Sequence, residues 1–170
     1  LVAYLSAKGY SKENMQEAGL VDTSQSGNAV DTMAGRLIVP IINNLKQVVA
    51  FGGRVLDDSL PKYKNTRETV LFNKSKEIFG QHSVKKLKLE TAVKELIVVE
   101  GYMDVISLFQ SGVKNAIASM GTSLTQEQAK LIKRYVDKVI ICYDGDGAGQ
   151  KATMRGLDIL YNQGLEVRVV

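Results

Sequence analysis

The sequence predicts an α/β protein: a doubly wound parallel sheet with helices on both faces over residues 95–170, preceded by a small mixed α+β subdomain over residues 1–94. Three observations predict it. Four short apolar runs (Leu96–Val99, Ala116–Ala118, Val139–Cys142 and Val167–Val170) read as buried parallel strands. Helix-period segments stand between them, and the order βαβαβαβ folds through right-handed crossovers into a parallel sheet. Before residue 95 the rhythm differs, with β-rich runs, turns, and a tract from about 57 to 94 dominated by Lys, Asn, Asp and Glu.

Along the chain, Ser11 to Ala18 reads as a short helix, with Ser11 as its N-cap and Gly19 as its end. Residues 22–34 are polar and rich in Gly, Ser and Asn, and read as a loop. Arg36–Asn43 and Gln47–Leu56 are two β-rich runs joined by a short polar turn, which predicts a hairpin. Pro40 has no N–H to donate and favours an edge position for the first run. A helix is expected around Thr69–Phe79, leading into a Lys-rich connector at Lys85–Lys88. In the second half, helices are expected at Tyr102–Gln110, Thr125–Tyr135 and Ala148–Asn162, ended by Gly112 after the first and Gly164 after the last. Ser123 or Thr125 is placed to cap the second of them, and Thr122 or Ser123 could alternatively reach a ligand at the sheet edge.

Composition excludes several classes. Apolar residues make up 45% of the 170 and charged residues 24%, so the chain can bury a core and disorder is not expected. The net charge of +4 favours a polyanionic partner without demanding one. The single cysteine, Cys142, lies in an apolar run, which rules out an intrachain disulfide and a cysteine zinc site. His82 is the only histidine and falls in a Lys-rich tract, so a Ser-His-Asp triad is not expected. No apolar run approaches the roughly 20 residues that span a bilayer. Leu1-Val2-Ala3-Tyr4 has neither a start methionine nor a basic signal region, and reads as a fragment boundary inside a cytoplasmic protein.

In a parallel sheet, chemistry gathers at the carboxyl edge of the strands. Two acidic motifs fall there. The first strand runs into Glu100-Gly101-Tyr102-Met103-Asp104, and the third into Asp144-Gly145-Asp146-Gly147-Ala148-Gly149. A lone Asp-Gly-Asp-Gly is usually only a turn. Both motifs in one βα array point further, to carboxylates whose mutual repulsion a hard divalent cation offsets. The later acidic ligands of an EF-hand are missing. Carboxylates without His or Cys select Mg²⁺ over zinc, and Mg²⁺ suits phosphoryl transfer.

Val98-Val-Glu-Gly-Tyr-Met-Asp104, followed about forty residues on by Cys142-Tyr-Asp-Gly-Asp-Gly-Ala-Gly149, resembles the Toprim domain, a Rossmann-like sheet. Arg36–Ile41, Phe51–Leu56, Pro61–Asn65 and Ala118–Ser123 resemble, more specifically, the bacterial replicative primase family. The resemblance covers essentially the whole chain. It implies synthesis of short RNA primers from ribonucleoside triphosphates on single-stranded DNA. It implies Glu100, Asp144 and Asp146 as catalytic and metal-binding carboxylates for Mg²⁺ (Mn²⁺ can substitute), with Asp104 as a further acidic position. Arg54, Lys62, Asn65 and Lys74 match positions that contact nucleotide phosphates or template. The family's third acidic loop would begin just past Val170, and its N-terminal zinc module and C-terminal helicase-binding region are not in this sequence. A monomeric fragment, inactive by itself, is therefore expected. Two other readings stay open: another Toprim enzyme that cleaves DNA, such as a topoisomerase or nuclease, and a non-catalytic DNA-binding recombination module.

The basic tract has two readings of its own. Lys85–Lys88 reads as linker, whereas Arg54 and Lys62, near a Gly-Gly pair and a Tyr-x-Asn turn, lean towards phosphate contacts. Tyr63 could stack on a base or pack under its own turn.

Overall fold

Strand pairing in the chain is divided among three sheets, and each follows from local sequence. The structure is a computed structural model and describes residues 1–121 and 123–170. Thr122, expected beside Ser123 as a capping or ligand hydroxyl, lies outside the described residues. Two compact units are present: residues 1–41 with 48–73, and residues 42–47 with 74–170.

In the first unit, α1 (Val2–Ala7) is followed by α2 (Lys12–Glu17). The Ser11 hydroxyl accepts from the Asn14 N–H at 3.2 Å, the expected N-cap, and Gly19 follows the helix at a φ of +71°. Residues 22–34 are not a plain loop. Val21–Thr23 (β1) and Ala29–Asp31 (β2) pair antiparallel, because Val21 is fully buried and a Ser24–Gly27 turn lets the strands return. Arg36–Ile42 (β3) and Val48–Val55 (β4) are hydrogen-bonded neighbours, and Tyr63–Asn65 (β5) adds antiparallel to β4. β3 is an edge strand of this sheet, the position that Pro40 favours.

The expected helix at Thr69–Phe79 does not form. The Thr69 hydroxyl accepts from the Leu71 and Phe72 N–H groups, offering the backbone a turn in place of a helix. That turn buries Phe72 and leaves Val70 and Leu71 exposed, a burial order without helical period. Lys85–Lys88 is likewise not a linker: it lies inside α3 (Gln81–Glu90). Gln81 and Val84 form a narrow buried stripe three residues apart, and the lysines reach outward from it. Lys85 Nζ donates to the Asn44 carbonyl at 2.9 Å and Lys88 Nζ to the Tyr135 carbonyl at 2.5 Å.

The second unit is built on five strands: Ile78–Phe79 (β6), Glu95–Val99 (β7), Ala116–Ser119 (β8), Lys138–Ile141 (β9) and Glu166–Val169 (β10). Their order is β10-β9-β7-β8-β6, all parallel neighbours except β6, which adds antiparallel to β8. The helices α4 (Tyr102–Gln110), α5 (Gln126–Lys133) and α6 (Gly147–Tyr161) lie between successive strands, as expected. Leu96, Val98, Ile117, Val139 and Ile141 join one buried cluster with Val84 of α3, Ala129 and Ile132 of α5 and Leu160 of α6. The residues alternating with them, Val99, Ala116 and Ala118, are buried outside that cluster, as are Tyr102 and Val105 of α4. Period-two alternation thus assigns α4 to one face and α3, α5 and α6 to the other. Each fully buried side chain of this kind contributes about 1.5–3 kcal/mol of transfer free energy.

Polar ties close the seam between the 74–80 segment and α5. Thr125 caps α5 by accepting from the Gln128 N–H, and its hydroxyl donates to the Ser75 carbonyl at 2.7 Å. Gln128, only 1% exposed, donates to the Lys74 and Glu77 carbonyls at 3.0 and 2.8 Å and accepts from the Thr125 N–H. Losing these partners strands buried carbonyls. Gln128→Leu should therefore cost about 2–4 kcal/mol in urea denaturation, while Lys86→Ala, in an exposed 3.9 Å pair with Glu90, should cost less than about 0.5 kcal/mol.

Candidate active site

The strand order reverses at β7. From β7 the chain crosses to β8 on one side, then returns past β7 to β9 and β10 on the other. Helices leave in opposite directions from the ends of β7 and β9, which opens a crevice at that edge. Adjacent strands lie about 4.8 Å apart, so the loops after β7 and β9 begin side by side. Glu100 follows β7, and Asp144 follows β9 after Cys142 and Tyr143.

The two loops are joined directly: the Asp144 N–H donates to Glu100 Oε1 at 2.9 Å. Gly149, in the first turn of α6, closes onto the same point. A Cβ there would meet the Asp144 carbonyl oxygen at 2.1 Å and Glu100 Oε1 at 2.8 Å. Of the glycines in Asp144–Gly149 it is the one whose lack of a side chain is required, since Gly145 and Gly147 face open space. Asp146 N-caps α6, with Oδ1 accepting from the Ala148 and Gly149 N–H groups at 3.0 and 2.7 Å. Glu100 and Asp146 line one cleft of about 260 Å³ together with Ser119, Tyr143, Ala148 and Ala152. Burial, with the Glu100 charge beside it, pushes the Tyr143 phenol up to about 12, so Tyr143 stays neutral in this cleft.

Asp104 is engaged elsewhere. Its Oδ2 accepts from the Gly101 N–H at 2.9 Å and closes the N-terminus of α4, a task that accounts for an acidic side chain at that place. Among the described residues no three acidic, His or Cys side chains are gathered at metal-holding distances. The structure brings Glu100 and Asp146 to one cleft and ties Asp144 to Glu100 through its backbone.

The four expected nucleotide and template residues fall in both units. Arg54, Lys62 and Asn65 belong to the first. Arg54 on β4 faces Tyr63 on β5, with its guanidinium 5.6 Å from the ring centroid. Tyr63 is thus a cation–π partner with 45% of its surface exposed. Lys62 is exposed just before β5, and its carbonyl accepts from the Val55 N–H. Asn65 stands opposite Gly52 in the β4–β5 register. Sequence reasoning passed over Arg36, whose Nη1 donates to the Pro61 carbonyl at 2.9 Å and holds the loop that presents Lys62. Only a contact 25 residues away reveals that role. Lys74 belongs to the second unit, where its carbonyl accepts from Gln128.

Comparisons with known proteins give the family. Residues 1–85 match the family described as DNA primase catalytic core, N-terminal domain, which is half of the chain. The chain belongs to the DNA primase family. Residues 97–170 match the Toprim-like family. A DNA primase of Clostridium acetobutylicum is 46% identical over all of this chain, which covers 28% of that protein. A DnaG primase catalytic domain solved bound to single-stranded DNA is 35% identical, with a TM-score of 0.87 over 98% of this chain and 53% of its own. The zinc-binding and RNA polymerase domains of Aquifex aeolicus primase are 36% identical, with a TM-score of 0.83 over 93% of this chain and 39% of their own. The chain therefore spans about a quarter of the length of that curated primase and about half or less of the solved ones.

The crowding at Gly149 has a direct test. Gly149→Ala should destabilise the fold by about 2 kcal/mol or more in denaturant titration, because backbone and Glu100 must both move. Gly145→Ala, facing open space, should lie within about 0.5 kcal/mol of the parent.

Proposed function

We propose that this chain is part of the RNA-polymerising core of a bacterial primase, joining ribonucleoside triphosphates into short primers on a single-stranded DNA template. The observation that carries the reading is the meeting of Glu100 with the Asp144–Gly149 loop where the sheet order reverses, in a chain whose family is DNA primase. Relatives support it within their own descriptions, one bound to single-stranded DNA and one named for its RNA polymerase domains.

Glu100, Asp144 and Asp146 are assigned to a hard divalent cation, with Glu100 and Asp146 lining one cleft and Asp144 in the loop bonded to Glu100. The donor set is oxygen only, and Gly149 keeps clear the space beside Glu100 that a side chain would fill. Mg²⁺ held there would neutralise charge on the nucleotide phosphates. The chain's own groups do the rest. Glu100, fixed through Oε1 by the Asp144 N–H, stands as ligand or as acceptor for the proton of the attacking 3′-hydroxyl. That oxygen bonds to the α-phosphorus while the bond to the pyrophosphate leaving group breaks. Neutral Tyr143 walls the cleft without adding charge. Arg54, Lys62 and Asn65, with Lys74, are assigned to template and nucleotide phosphates, where Arg and Lys attract them without reading sequence. The same reading adds the replicative helicase as a partner, through the family's C-terminal region, and zinc only in the family's N-terminal module. The working compartment is the cytoplasm. No helix of the described residues is long and apolar enough to cross a membrane.

Three measurements test the proposal. Mg²⁺ should raise the melting temperature of the chain, by linkage worth about 2.7 kcal/mol at a hundredfold excess over Kd, and Asp144→Asn should abolish the rise. An unchanged metal response in that variant removes Asp144 from the site.

Single-stranded DNA should bind with affinity that falls as salt rises. Arg54→Ala and Lys62→Ala should each weaken binding to all sequences alike and lower the salt slope by about one. Sequence-selective weakening would contradict the phosphate assignment.

In a longer polypeptide extended through the family's remaining core, labelled ribonucleotides on single-stranded DNA should yield primers. Glu100→Gln should stop that synthesis, yet leave the metal-free melt within about 0.5 kcal/mol, because an amide oxygen can still accept from the Asp144 N–H. A markedly earlier metal-free melt would show Glu100 serving the fold instead.

A further inference from the structure

The second unit carries another cleft beside the carboxylates, of about 330 Å³, lined by Ser123, Gly147, Ala148, Lys151, Ala152 and Arg155. Ala148 and Ala152 line both clefts, so a single turn of small side chains on α6 separates them. Their charges are opposite. Glu100 and Asp146 face one, Lys151 and Arg155 the other.

Lys151 and Arg155 stand four residues apart on α6, so they share a helical face, and like charges at that spacing repel. Among the described residues neither has an ion-pair or hydrogen-bond partner. The end of the helix does not supply the attraction, because the Ala148 and Gly149 N–H groups already donate to Asp146. What the cleft offers an anion is a guanidinium fork, an ammonium and the Ser123 hydroxyl. The fork matches two oxygens of a phosphate, and the ammonium adds a point charge for a third. A solvated face would not need a concave floor of small residues between cations and carboxylates.

We infer that Lys151 and Arg155 form a phosphate-binding subsite flanking the carboxylate cleft, its ligand a phosphate of a nucleotide. The source is either the triphosphate of a monomer or the backbone of a strand. The identification of the ligand as a nucleotide rests on the proposed primase function, whereas the anion site itself rests on the cleft. Ala148 and Ala152 line both clefts, so a phosphate seated there lies beside the cleft that Glu100 and Asp146 line.

The test uses the 170-residue chain without metal at fixed ionic strength, so that neither catalysis nor cation binding enters the readout. Titration calorimetry is run with inorganic tripolyphosphate and, separately, with an oligothymidylate lacking a 5′-phosphate. The double variant Lys151→Gln/Arg155→Gln is compared with Lys94→Gln/Lys114→Gln, which removes the same charge from exposed lysines elsewhere in the unit. The cleft variant should bind at least one probe about tenfold more weakly or worse, and the control should stay within about twofold. Loss confined to tripolyphosphate assigns the subsite to a monomer's triphosphate. Loss on the oligonucleotide, alone or with tripolyphosphate, assigns it to strand phosphates. Wild-type chain that binds neither probe, a cleft variant that binds both normally, or equal weakening in the control overturns the inference. Failure of primer synthesis in the longer polypeptide would sink the primase reading and leave this outcome standing.

Discussion

The second unit depends on one adjacency, that of β7 and β9. Residues 95–99 and 138–141 come together only because α4 crosses to β8 on one face while α5 returns the chain on the other. The hydrogen bond from the Asp144 N–H to Glu100 Oε1 is the local consequence, linking residues 44 positions apart. It also explains the crowding at Gly149. Once the loop after β9 is held against Glu100, the first turn of α6 must pass so close that a Cβ would overlap the Asp144 carbonyl. Backbone, carboxylate and helix start are therefore one packed unit, and none of the three can shift alone.

Charge is arranged around that unit with an asymmetry the fold does not require. Two carboxylates, Glu100 and Asp146, line the crevice. Cations collect one turn away on α6 and, among the described residues, do not neutralise them. Lys133 with Asp137 and Lys138 with Glu166 pair at the opposite ends of the strands and helices and are largely exposed, so they add little stability. A protein optimised for stability alone would interleave the charges at the crevice.

Much of this was legible in the sequence, for a physical reason. The first three apolar runs form the inner strands of the sheet, whereas the fourth, β10, is an edge strand that leaves Val169 and Val170 exposed; Thr125, with Gln128 three residues on, announces a helix start whatever the tertiary context. Glu100, Asp144 and Asp146 could be placed at the crevice because strand ends fix loop positions. The errors fell where a single side chain overrode a pattern. Thr69 turned an expected helix into a turn by bonding its own backbone, and Lys85–Lys88, linker-like by composition, became helical because Val84 had a buried place to fill. The hairpin of β1 and β2 was hidden because three-residue strands carry too few side chains to show alternation. Gly149 was only one glycine among several, since close approach is a property of the assembled loops.

Asp146 and Asp104 separate what capping explains from what it does not. Both accept from N–H groups at a helix start, so each has a structural use. At an N-cap, Asn or Ser serves about as well as Asp, and those neutral groups would spare the site a charge beside Glu100. Asp146 uses one oxygen, Oδ1, for both of its N–H partners, and the other makes no bond among the described residues while the side chain lines the cleft. Asp104 sits instead at the third position of its helix, where an acidic side chain closes the capping box and the helix dipole favours its charge. Folding thus accounts for a carboxylate at Asp104. At Asp146 it accounts only for an oxygen, and the negative charge is not explained by capping.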